Sequence, residues 1–112
     1  MLSFQKLDVY RCAVELLAFS ATLPGRMPKG LSSLTEQFRR AALSVPLNIA
    51  EAAGRNTEAD AARHYAIARG SAMECAALID SLRVLDVLDD SQHAHSLLLV
   101  ARIVAMLTKL CR

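Results

Sequence analysis

Asp89, Asp90, His93 and His95 crowd into seven residues and are side chains that a divalent metal recruits. Their spacing argues against a metal site. Two His residues two apart on a helix point in different directions, whereas a helical zinc motif sets them four apart on one face. These residues read instead as a solvated break followed by the acid-capped first turn of a helix. No Ser or Cys sits in a recognisable nucleophile elbow. His64, the one His away from that segment, reads beside Tyr65 as a helix-surface residue. Gly25, Gly30, Gly54 and Gly70 are dispersed, so no phosphate-cradling loop is spelled out. These residues imply no catalytic site, no metal and no cofactor. A protein that is not an enzyme, with no evident small-molecule substrate, is expected.

Cys12, Cys75 and Cys111 are odd in number and form no CxxC pair, which excludes a disulfide framework and fits small buried residues in a reducing cytoplasm. Asp8, Arg11 and Glu15 interrupt the N-terminal apolar run, so no secretory signal is expected. The most apolar stretch, Leu97 to Leu107, is broken by Arg102 and is shorter than the roughly 20 residues a bilayer requires, so no membrane association is expected either.

The elements that must position these residues are helical. Of the 112 residues, 54% are apolar but only 4% aromatic, which predicts one domain over 1–112 with a core of Ala, Leu, Val and Ile. Helical spacing of Leu7, Tyr10, Val14, Leu17 and Ala21 predicts a first helix from about Phe4 to Leu23, stopped by Pro24-Gly25. Ser33 and Glu36 spell a capping box for a second helix with the stripe Leu34, Phe38, Ala41, Val45, Ile49 and Ala52. Pro46 lies within that stripe and is expected to kink the helix without ending it. A third helix should start after Thr57 as cap and reach about Leu88, and a fourth should follow Asp89-Asp90-Ser91. Short connections between long amphipathic helices imply antiparallel neighbours, hence an all-α, up-down-up-down four-helix bundle.

Polar and small residues fall where a plain bundle would carry Leu. A helix two–helix three hairpin turning at Gly54 to Asn56 places Gly70 and Ser71 opposite Ala41 and Arg40, and Glu74 opposite Gln37. Gly mid-helix costs about 1 kcal/mol against Ala, so close backbone approach at Gly70 is expected. Glu74 is expected to be buried against Arg40 or Gln37. Gln37, Arg40, Asn48, Glu51, Ser71 and Glu74 are thus a candidate structural polar cluster, the alternative being a ligand site built from Arg40, Asn48, Glu51 and Glu74.

The stretch from Gln37 to Glu51, QFRRAALSVPLNIAE, followed by Gly54-Arg55 and then Ile67 to Glu74, IARGSAME, resembles a known family of four-helix bundles. That family includes the proteins encoded in intervening sequences of bacterial 23S ribosomal RNA genes, often labelled S23 ribosomal proteins, and the accessory variability determinant of diversity-generating retroelements. The resemblance spans almost the whole chain, since Phe4 to Pro24 also fits. It implies a homopentameric barrel, and the retroelement member is similar to a nucleic-acid-binding cofactor of a reverse transcriptase. One position departs: the family usually has Gly directly after the Glu of the motif, and here Ala52 follows Glu51, so the second helix should run slightly longer before turning at Gly54.

Two function classes stay open. In the first, a homo-oligomer binds RNA, DNA or a ribonucleoprotein, a reverse transcriptase-type partner included, through Lys6, Arg11, Arg39, Arg55, Arg63 and Arg69. A formal net charge of only +2 is offset by repetition around a ring. The charge is uneven along the chain: seven basic and four acidic residues lie up to Arg55, six and seven beyond it. In the second class, the near-neutral charge marks a structural or protein-interaction module. Self-association is expected in both, because apolar residues surround nearly the whole fourth helix; Leu99, Ile103, Met106 and Leu110 are the candidate oligomer contacts.

Overall fold

The computed structural model describes residues 1–112 as four long helices with two short 3-10 turns and no strand. The helices are α1 (Asp8–Ser20), α2 (Ser32–Ala53), α3 (Glu58–Val84) and α4 (Asp90–Leu110), and the turns are Ser3–Lys6 and Pro24–Arg26. Each helix packs on its sequence neighbours and α4 closes the square against α1, the expected up-down-up-down bundle, 46 × 24 × 21 Å.

Local chemistry explains the boundaries. Leu7 is extended, so the first segment divides into the 3-10 turn and α1 instead of one helix from Phe4 to Leu23. α2 begins at Ser32 without a side-chain cap: the Ser33–Glu36 box does not form, because Glu36 reaches forward to Arg39 at 2.6 Å and Arg40 at 3.4 Å. Pro46 leaves α2 a single helix, and α2 extends to Ala53 before Gly54, as the Ala52 departure implied. Thr57 caps α3 by accepting from the Asp60 amide at 3.1 Å. α3 stops at Val84, four residues short of expectation. Asp86 takes a left-handed conformation (φ 60°), and the amides of Asp86 and Val87 return to the Arg83 and Leu82 carbonyls. This is a Schellman motif in which Asp replaces the usual Gly, sealed by burial of Val87 on Leu82. Asp89 and Gln92 form the capping box of α4.

The core joins all four helices. Leu16, Phe38, Ile49, Ile79, Leu82, Ile103 and Leu107 are fully buried among Ala42, Ala68 and Ala72, whose small side chains let the helices approach closely. Each buried Leu, Ile or Phe contributes about 1.5–3 kcal/mol of transfer free energy. Phe19 meets Phe38 edge to face at 6.1 Å. Arg26 ties the α1–α2 loop to the α3–α4 turn, donating to the Val87 carbonyl at 2.9 Å and to Gln92 at 2.7 Å.

Two expectations about α4 change. Leu99 and Ile103 turn into the bundle's own core, with 5% and 0% exposure, so neither is free for a neighbouring subunit; Leu98 (64% exposed) and Leu110 (36%) face outward, and Met106 is partly buried. Leu97 to Leu107 is too short to span a bilayer, but α4 as a whole is long and apolar enough by length and composition. Its buried stripe of Leu99, Val100, Ile103 and Leu107 is committed to the core, as in the central helix of a bundle.

Candidate nucleic-acid interface

Antiparallel packing sorts the charges along the bundle. Ser44 on α2 bonds Ser71 on α3 at 2.8 Å, marking the midpoint of that hairpin. One half of the bundle holds the N-terminal turn, the start of α1, the α2–α3 connection and the end of α4. Residues 1–13, 43–70 and 101–112 make up this half and carry eight Lys or Arg against four Asp or Glu; the other half carries five against seven.

Five of the six candidate cations, Lys6, Arg11, Arg55, Arg63 and Arg69, fall in the basic half, and Arg39 in the acidic one. Their engagement differs. Arg39 is paired with Glu36, and that hydrogen bond holds the Glu36 carboxyl below and the Arg39 guanidinium above their ordinary ranges. Arg55 is paired with Glu51 one turn earlier on α2. Arg63 stands 3.9 Å from Asp60. Lys6, Arg11 and Arg69 have no carboxylate within 4.0 Å. No aromatic platform accompanies them. Tyr10 packs edge-on against Phe4 at 5.0 Å, and Tyr65 is half-buried, which pushes its hydroxyl above the usual range. The surface suits phosphate contact and not base stacking.

The polar cluster on the α2–α3 seam is rebuilt by the structure. Gln37 does meet Glu74, at 3.5 Å, but Glu74 is exposed, not buried, because it sits on the solvent side of the seam. Arg40 leans toward Glu36 with 79% of its side chain exposed, and Glu51 is bound to Arg55, so neither joins the cluster. Gly70 is exposed and a Cβ there would meet nothing within 4 Å, so close helix approach does not explain it. Asn48 and Ser71 do form a connected set, with two residues that sequence reasoning left out. Asn48 Nδ2 donates to the Ser44 carbonyl at 2.9 Å and to Ser44 Oγ at 3.1 Å, and Asn48 Oδ1 lies 3.2 Å from His64 Nδ1. His64 is 8% exposed and buried in the seam, not a surface residue. The spacing held the clue: 48 and 64 fall opposite each other in the same register that pairs Gln37 with Glu74. At the far end His93 bonds Asp80 at 2.9 Å, and Arg83 clamps Asp86 and Asp90 around the α3–α4 turn. No group of three His, Cys, Asp or Glu side chains is gathered to hold a metal.

Fold and charge define the class: an all-helical antiparallel bundle with a basic half and a buried polar seam. The chain belongs to the 23S rRNA-intervening sequence protein family, whose sequence model matches residues 5–109. No curated protein matches the sequence.

Proposed function

We propose that the protein is a non-enzymatic, cytoplasmic homo-oligomer that binds RNA or DNA, free or in a ribonucleoprotein, by phosphate contact through the basic half of its bundle. The observation that carries this reading is the gathering of Lys6, Arg11, Arg55, Arg63 and Arg69 into that half, with Lys6, Arg11 and Arg69 free of carboxylate partners. Self-association supports it by repeating a modest charge. Leu47 (54% exposed), Met73 (53%) and Leu98 (64%) offer apolar surface for that association, and the open space at Gly70 leaves room for a neighbouring subunit to approach α3. A ring of five is what the family resemblance implies.

The test is a salt titration of binding to mixed-sequence single-stranded RNA and duplex DNA. Affinity should fall linearly in log–log form, with a slope of about −0.7 per phosphate contact on single strands and −0.9 on duplex. The near-neutral charge and the ion pairs of Arg39 and Arg55 favour a second reading, a protein-interaction module. Binding that is absent, or flat with salt, would favour that module and refute phosphate contact.

A further inference from the structure

His64 lies in the α2–α3 seam between an amide and a guanidinium, and the hydrogen bonds around it fix which nitrogen carries its proton. The Ser44 carbonyl can only accept, so Asn48 must turn its NH₂ group toward it, at 2.9 Å. Asn48 Oδ1 is then the atom that faces His64 Nδ1 at 3.2 Å. An amide oxygen only accepts, so Nδ1 must bear the hydrogen. That leaves a lone pair on His64 Nε2, which stands 3.2 Å from Nη2 of Arg63, a group that only donates. The Asn48 amide, the His64 Nδ1–H and the Arg63 Nη2–H each meet an acceptor in this arrangement, and Ser71 joins the set through Ser44 Oγ.

We infer that His64 is a positioning residue: locked in its Nδ1–H form, it holds the Arg63 guanidinium with an Nε2 lone pair and sets it at the seam's edge to receive a phosphate oxygen. The phosphate half of this inference rests on the nucleic-acid reading above. Arg63 is more than half exposed, and its carboxylate neighbour, Asp60, is at 3.9 Å. Its outward donors are therefore available while Nη2 is anchored from behind. A guanidinium held in one orientation loses less side-chain freedom on meeting a phosphate than a free one does.

Two measurements separate the lock from its use. Long-range proton–nitrogen NMR of the wild-type protein near neutral pH should show a pyrrole-type Nδ1 and a pyridine-type Nε2 for His64; the reverse pattern overturns the inference. Binding is then measured with a mixed-sequence single-stranded RNA for Arg63→Ala, His64→Leu, His64→Gln and the double variant Arg63→Ala with His64→Leu. Loss of one phosphate contact should lower the salt slope by about 0.7 per engaged subunit in both Arg63→Ala and His64→Leu. The double variant should lose no more than Arg63→Ala alone, and His64→Gln, which keeps a donor for Asn48 and an acceptor for Arg63, should bind as the wild type does. Additive losses, or a His64→Leu protein that binds normally, would overturn the positioning role. A wild-type protein with the Nδ1–H form that fails to bind RNA would refute the phosphate role and the proposed function while leaving the lock in place.

Discussion

Ile103 and Leu98 lie on the same helix with opposite surroundings, which allows folding and assembly to be perturbed separately. Ile103 is fully buried among the core residues of all four helices. Trimming it to Ala should cost about 2–5 kcal/mol, the range for deleting a large aliphatic group from a packed interior. At roughly 4 °C per kcal/mol for a chain of this size, the melting temperature should drop by roughly 8–20 °C. Leu98 is 64% exposed, so only about a third of its transfer free energy, about 0.5–1 kcal/mol, is at stake within its own bundle. Leu98→Glu should therefore leave the bundle folded and act on association, placing a carboxylate where a neighbouring subunit would need an apolar contact. Sedimentation velocity at micromolar protomer should show wild-type protein as an oligomer, Leu98→Glu as a smaller species, and Ile103→Ala as an oligomer of lowered stability. Urea denaturation at two protein concentrations completes the comparison: the midpoint should depend on concentration for wild type and much less so for Leu98→Glu. A wild-type protein that sediments as a monomer, or a Leu98→Glu variant that loses several kcal/mol within the monomer, would refute this division of labour.

Other consequences are as direct. With open space around its Cβ position, Gly70→Ala should stabilise the isolated bundle by about 1 kcal/mol in thermal melts, and Gly70→Leu should be tolerated nearly as well; severe destabilisation by Leu alone would restore the close approach expected from sequence. Asn48→Ala strips the buried His64 Nδ1–H of its acceptor and should cost about 1–3 kcal/mol in urea denaturation. Burial, with a smaller contribution from the Glu74 charge, pushes the Cys75 thiol up to about 12 from an ordinary 9.0. The neutral thiol is the form the core holds, so its contribution is complete below pH 9 and is lost as pH climbs through 12. Cys75→Ala should thus show a flatter fall in stability than wild type over that interval. In native protein at pH 8, alkylation should mark the half-exposed Cys111 first and leave the buried Cys12 and Cys75 for the unfolded chain.

The bundle was legible because each level of the sequence agreed. The α2 stripe and the Thr57 cap pointed to the right helices, and Pro46 was outvoted by the periodicity on both sides of it. The face of α1 was misjudged, since Val14 and Ala21 are exposed while Val9, Cys12, Ala13 and Leu16 are buried, and α4 starts at Asp90, inside the expected break, with Asp89 as its cap. Boundaries failed where a side chain had a competing partner. Glu36 prefers two arginines ahead of it to the amide behind it, and Asp86 takes a left-handed turn for which no Gly was present to warn. The seam was half legible. The hairpin register put Gln37 opposite Glu74, but register fixes height along a helix and not the angle around it. A residue one step round the helix is in solvent instead of the core, which is how Glu74 came out and His64 went in. Leu99 and Ile103 were misplaced for the same reason: a helix apolar on nearly every side does not say which of its faces its own bundle takes. The grouping of basic residues depended on chain reversal, which brings the N-terminal turn, the α2–α3 connection and the end of α4 together although they are far apart in sequence.

That grouping makes the 46 Å body an electric dipole laid along its longest axis, with eight positive and four negative groups in one half against five and seven in the other. A dipole experiences a torque in any field, and the field of a polyanion extends over about one Debye length, roughly 8–10 Å at physiological salt. Approaching such a surface, a body so charged turns its basic half forward before any atom touches, and lowering the salt lengthens the distance over which it turns. The net charge sets only how strongly the molecule is drawn in; the separation of charge sets which end arrives.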